Sequence, residues 1–129
     1  MSGVGLDAWA LVAYLKGEPA AGRVEDAIAT GEALASEINL GEVLYSVARS
    51  HSADRAIELV EGLRRLLDAQ RPDWELIVAA ARLKARHPLS HADAFAVATA
   101  RRHDGVLYSG DPEILALGSL VEAIDLRGR

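Results

Sequence analysis

Residues 90–111 read SHADAFAVATARRHDGVLYSGD. From Ser90 to about His103 the stretch is rich in alanine and predicts a helix, with Ser90 placed to open it. Gly105 restarts the chain as VLYS (106–109), a short apolar run without the alternation of a half-exposed strand. Gly110-Asp111-Pro112 then turns it into a short helix ending near Gly118. A long helix handing over to a short buried strand, and that strand to another helix, is the unit from which parallel α/β layers are built.

The rest of the chain repeats this unit. GVGL (3–6) is a short apolar strand that stops at Asp7, and Trp9, Leu11, Val12 and Leu15 follow on a helix closed by Gly17 and Pro19. A second helix runs from about Ala20 to Thr30, and EALAS (32–36) reads as a buried strand. From Glu37 to Arg49, Leu40, Val43, Leu44 and Val47 share one helical face. Ile57, Val60, Leu63 and Leu67 do the same on a helix from about Ala53 to Leu67. Gln70 to Pro72 reads as a break. Asp73 caps a further helix that ends at His87-Pro88, and LVEAIDL (120–126) closes the chain as a strand. The expectation is a single α/β domain over residues 1–129, with a mainly parallel sheet.

Composition narrows the chemistry. Of 129 residues, 50% are hydrophobic and 26% charged, which is globular; with 5% aromatics an all-β sandwich is disfavoured. The absence of cysteine excludes disulfides, thiolate zinc sites and cysteine nucleophiles, and agrees with a reducing cytoplasm. The opening residues lack the basic start of a signal peptide, and no apolar run is long enough to span a membrane. A net charge of −5 excludes binding to nucleic acid by overall charge, so any such contact must be local or assisted by metal ions.

Ligands of open α/β sheets sit beyond the carboxyl ends of the strands. Asp7 stands directly after the first strand and Asp111 two residues after VLYS. Glu42 and Asp93 each lie one turn into a helix. Taken singly, each acid is also explained as part of a helix cap: Asp7 and Asp111 by type, Glu42 and Asp93 by their spacing from Asn39 and Ser90. Taken together, four carboxylates converging on one rim would demand a counter-charge. Two of them about 4 Å apart repel by roughly 4 kcal/mol at an effective dielectric near 20. An all-oxygen donor set selects Mg²⁺ or Mn²⁺ over zinc, and such a pocket suits phosphodiester chemistry.

The segments VGLDAWALVAYLKGEP, ASEINLGEVLYSVAR, LSHADAFAVATARRHDGVLYSGDPEI and VEAIDL resemble a PIN domain. More narrowly, the chain is similar to the VapC ribonuclease toxins of VapBC toxin–antitoxin pairs. The resemblance implies a three-layer α/β/α fold and a Mg²⁺- or Mn²⁺-dependent endoribonuclease. It carries over Asp7, Glu42, Asp93 and Asp111 as metal-binding and catalytic acids, with Ser109 and Asn39 in support. It implies an RNA substrate, a VapB-like antitoxin held by helices in the 37–67 region, and a homodimer. Two positions depart from the family pattern. Trp9 stands where Ser or Thr is usual, and Gly110-Asp111-Pro112-Glu113-Ile114 replaces a run like R-D-x-x-F, with Glu113 as an additional acid. These departures leave a second reading open: a catalytically silent PIN-like module that binds protein.

The other polar residues have simpler explanations. His51, His87, His91 and His103 are scattered, and Arg101, Arg102 and His103 complement the dipole at a helix end. Trp9 and Trp74 are expected in the core. A receiver- or phosphatase-type phosphoryl-transfer domain would need paired acids at the first strand and a late lysine. Here Asp7 stands alone and the last lysine is Lys84.

Overall fold

A computed structural model describes residues 3–128. Five parallel strands form one sheet: β1 (Val4–Leu6), β2 (Ala33–Ser36), β3 (Asp68–Gln70), β4 (Val106–Ser109) and β5 (Ala123–Asp125), in the order β3-β2-β1-β4-β5. The helices between them are α1 (Ala8–Leu15), α2 (Ala21–Ala29), α3 (Glu37–Val47), α4 (Ala53–Leu66), α5 (Trp74–Arg86), α6 (His91–Arg102) and α7 (Pro112–Leu115). The chain winds outward from β1 to β3, then returns to the other side of β1 to lay down β4 and β5. The order therefore reverses between β1 and β4, where a crevice opens at the carboxyl edge.

The sheet separates two buried clusters. Leu6, Ala33 and Ala35 pack with Leu11, Val24, Val43 and Leu63 from α1 to α4. Leu107 packs with Leu76, Leu83, Phe95 and Val97 from α5 and α6. This is the expected three-layer α/β/α arrangement. Gly5 faces the second cluster, where a Cβ would crowd Ala100 and Leu107, so α6 lies close against β1.

Several details differ from the reading of the sequence. The break expected at 70–72 begins one residue later, because Gln70 ends β3, an edge strand whose residues Asp68, Ala69 and Gln70 pair with Leu34, Ala35 and Ser36. Backbone pairing along one side makes it a strand, and its DAQ sequence carries no apolar pattern to announce that. The closing strand shortens to Ala123–Asp125 because Gly118–Leu120 forms a 3₁₀ turn. On α4, Ala56 is buried where Ile57 was expected, and Ile57 is exposed. Trp74 is 73% exposed, because it occupies the first turn of α5 on the face opposite the buried Leu76 and Ala80. Trp9 is half-buried against the first cluster.

Candidate functional site

The four acids reach the carboxyl edge through four separate local structures. Asp7 caps α1: its Oδ1 accepts from the Ala10 N–H at 2.8 Å. Its Oδ2 accepts from the Ser109 hydroxyl at 2.5 Å. Ser109 ends β4, beside β1, and its Oγ also accepts from the Asp111 N–H at 2.9 Å. One buried hydroxyl thus ties two acids together. Asp111 caps α7 through the Glu113 N–H, with Pro112 at the first helical position where its missing N–H costs nothing.

Asp93 lies in the first turn of α6, and its N–H donates to the cap Ser90 at 3.1 Å. Glu42 projects from the second turn of α3, and Asn39 Nδ2 donates to its Oε1 at 3.4 Å. The same Nδ2 donates to the Ala92 carbonyl at 3.0 Å, joining α3 to the start of α6. The α3 cap is Ser36, not Asn39: its hydroxyl accepts from the Ile38 N–H. Asn39 is instead wholly buried between the two helices, and its Oδ1 has no partner among the described residues. Replacing Asn39 by Ala removes the bond that joins α3 to the Ala92 carbonyl and leaves Glu42 unanchored. We expect a loss of about 1–3 kcal/mol, read from the urea midpoint.

The electrostatics show that these groups face one another. Burial raises the Asp7 carboxyl from its ordinary 3.8 to about 7, against the lowering effect of the Ser109 and Ala10 hydrogen bonds. The charges of Asp111 and Glu42 raise it further. Burial likewise lifts Asp93 to about 7, followed by a hydrogen bond shared with Asp111 and by the Asp111 and Glu42 charges. Glu42 is raised by burial and by Asp111, and the Asn39 bond opposes this. Among the described residues none of the four is ion-paired.

Glu42, Asp93 and Asp111 line a cleft of about 400 Å³, with Trp9 and Tyr45 on its walls and Lys16 and Arg49 as its cations. Asp93, Asp111 and Glu113 each offer an oxygen within 4.8 Å of the others. Glu113, the additional acid after Pro112, therefore belongs to the tightest carboxylate group, while Asp7 stands behind it on Ser109. Uncompensated carboxylates at this spacing, with no nitrogen or sulfur donor among them, fit a hard divalent cation such as Mg²⁺ or Mn²⁺. The geometry can hold such an ion and present it to a ligand in the cleft.

The PIN domain family model matches residues 4–119. The chain belongs to the PIN domain family. Among solved structures, this PIN domain is similar to a chain of the DNA-bound VapBC complex from Salmonella typhimurium. The two are 19% identical with a TM-score of 0.80, over 98% of this chain and 99% of that one. It is also similar to Mycobacterium tuberculosis VapC20, a toxin that cleaves the sarcin–ricin loop, at 20% identity and a TM-score of 0.73, over 89% and 95% of the two chains. A third similar structure is PAE2754 from Pyrobaculum aerophilum, 20% identical with a TM-score of 0.71, covering 97% of this chain and 90% of that one. A search of curated proteins returned no match.

The two departures from the PIN pattern compensate each other. Gly110 lies under the Trp9 indole, and a Cβ there would overlap the ring. The large residue at 9 thus occupies the space that a side chain at 110 would need. We expect Gly110→Ala to destabilise the fold by about 1–3 kcal/mol through overpacking. Trp9→Ser should remove that penalty, so the pair should show a coupling above 0.5 kcal/mol in a double-mutant cycle of urea midpoints.

Proposed function

We propose that this PIN domain is a metal-dependent endoribonuclease, the VapC-like toxin of a type II toxin–antitoxin pair, working as one domain of residues 1–129 in the cytoplasm. The observation that carries this reading is the group of carboxylates without an ion-pair partner at the sheet's switch point, where burial and neighbouring acids raise Asp7 and Asp93. Asp93, Asp111 and Glu113 would hold Mg²⁺ or Mn²⁺, with Glu42 and Asp7 adding negative charge around it. Such an ion, when bound, would supply Lewis acidity for a water and for the charge on the scissile phosphate. Asp7 and Ser109 fix Asp111, and Asn39 fixes Glu42, so the acids need little reorganisation when RNA arrives. Water attacks phosphorus in line, the 3′-oxygen leaves, and the products carry a 5′-phosphate and a 3′-hydroxyl. The 2′-hydroxyl takes no part.

The partner assignment draws on the similar structures, several of which are VapBC complexes. It also draws on the surface of α3 and α4, where Ile38, Tyr45, Ile57 and Leu66 are exposed. A VapB-like antitoxin covering this apolar surface, and a homodimer of the toxin, are part of the proposal. Among the described residues no helix is long and apolar enough to cross a membrane.

The test is incubation of labelled RNA with purified protein in Mg²⁺, in Mn²⁺ and in EDTA, followed by end-group analysis. Metal-dependent cuts with 5′-phosphate ends are expected. Products ending in cyclic 2′,3′-phosphate would contradict the water mechanism. Tight binding of the antitoxin without cleavage of any RNA would favour the silent binding module.

A further inference from the structure

A second cleft, of about 450 Å³, lies between α5 and α6 on the face of the sheet away from α1 and α2. Arg82, Arg86, His87, Arg101 and Arg102 line it, and no acidic residue does. In a chain of net charge −5 that concentration of one sign is local, and one of its arginines is balanced by a neighbouring acid. Arg102 is held by Asp73 in a two-pronged ion pair, at 2.8 and 3.0 Å. Among the described residues Arg82, Arg86 and Arg101 have no ion-pair partner.

The rim of this cleft says what kind of ligand it suits. Leu76, Leu83 and Ala98 on its floor are buried by packing of α5 on α6. Around them stand guanidinium groups, whose planar forks match phosphate oxygens two at a time. We infer that the arginine cleft between α5 and α6 binds the phosphate backbone of RNA at a distance from the acidic centre. The inference rests on the ribonuclease reading and adds a second anchoring site for the same substrate.

Helix α6 joins the two sites. It carries Asp93 in its first turn and Arg101 near its end, about 12 Å apart along the axis at 1.5 Å per residue. Residues 93–100 of α6 are buried, so RNA that reaches both sites crosses the surface beside this helix and does not lie along it. A local group of arginines apart from the acidic centre would let an acidic chain engage a polyanion.

The test measures binding of a short fluorescein-labelled single-stranded RNA of mixed sequence to the full chain. EDTA keeps metal-dependent cleavage silent, and the salt concentration is varied. Each lost phosphate contact on a single strand lowers the slope of log K against log salt by about 0.7. The triple variant Arg82→Ala/Arg86→Ala/Arg101→Ala should therefore lose about 2 from the slope and bind about tenfold or more weakly at low salt. Arg55→Ala/Arg65→Ala on α4, a control for arginines lost elsewhere on the surface, should leave the slope unchanged. A wild-type protein that cleaves RNA, beside a triple variant of unchanged slope and affinity, overturns this inference alone. So does an equal loss in the α4 control, or a triple variant that changes self-association and not RNA affinity. Wild-type protein that neither binds nor cleaves any RNA overturns the ribonuclease reading beneath it.

Discussion

Asp93→Asn is expected to lower metal-dependent RNA cleavage about a thousandfold, equivalent to ~4 kcal/mol of barrier, while the protein stays folded. Asp93 is 5% exposed and lies within 4.8 Å of carboxylate oxygens on Asp111 and Glu113. Two such charges about 4 Å apart repel by roughly 4 kcal/mol at an effective dielectric near 20, which a proton or a bound cation offsets. The amide keeps the size of the side chain, and the helix cap survives because Ser90 accepts from the backbone N–H of residue 93. The variant thus removes one charge from the metal set with little disturbance of packing. Initial rates on a labelled RNA, with melting temperatures measured alongside, check the expectation. A variant within about tenfold of wild type would mean that Asp93 serves only the helix start.

The second large effect is on stability, in the absence of metal. The Asp7 carboxyl sits at about 7 in the fold against 3.8 ordinarily, chiefly because it is buried. The folded chain therefore holds the proton more tightly than the unfolded one. Between those values the unfolded state has released its proton and the folded state has not, so stability falls as pH rises from about 4 to about 7. Above that window the cost stays constant. Asp93, raised to about 7 mainly by burial, acts with the same sign.

Asp7→Asn removes the ionisation and keeps an oxygen for the Ala10 N–H. In EDTA at pH 8 the variant should be more stable than wild type by about 2 kcal/mol, within a ceiling of about 4 kcal/mol set by the displaced carboxyl. Near pH 4 the two should coincide. Urea melts across this pH range read the difference directly. A variant less stable than wild type at pH 8 would show that Asp7 is held as a favourable anion, and that burial is not its dominant influence.

The elements that position the site were legible in the sequence for physical reasons. Parallel strands covered on both faces must be short and apolar, which is how VGL, ALAS and VLYS announce themselves. Asp7, Ser90 and Asp111 are helix caps, so type and spacing placed them at the ends of elements where the carboxyl edge lies. Strand β3 escaped notice because an edge strand is made by its neighbour's hydrogen bonds, and Asp68-Ala69-Gln70 carries no pattern of its own. The role of Asn39 was also hidden: its partner carbonyl lies 53 residues away, so local spacing suggested a cap that Ser36 in fact provides. Trp9 and Gly110 each looked like an isolated departure, and only the contact between them shows one exchange of volume. Ile57 follows helical periodicity and Trp74 is large and apolar, which suggested burial for both, but both side chains are exposed.

Calorimetric titration of the metal-free protein with Mn²⁺, wild type beside the double variant Asp93→Asn/Asp111→Asn, tests the central claim most directly. Saturable binding of one or two ions by wild type, abolished in the folded variant, is the predicted result. A wild-type protein that binds no Mn²⁺ at millimolar concentration, or a variant that binds it equally well, would contradict the claim and leave the carboxylates as helix caps.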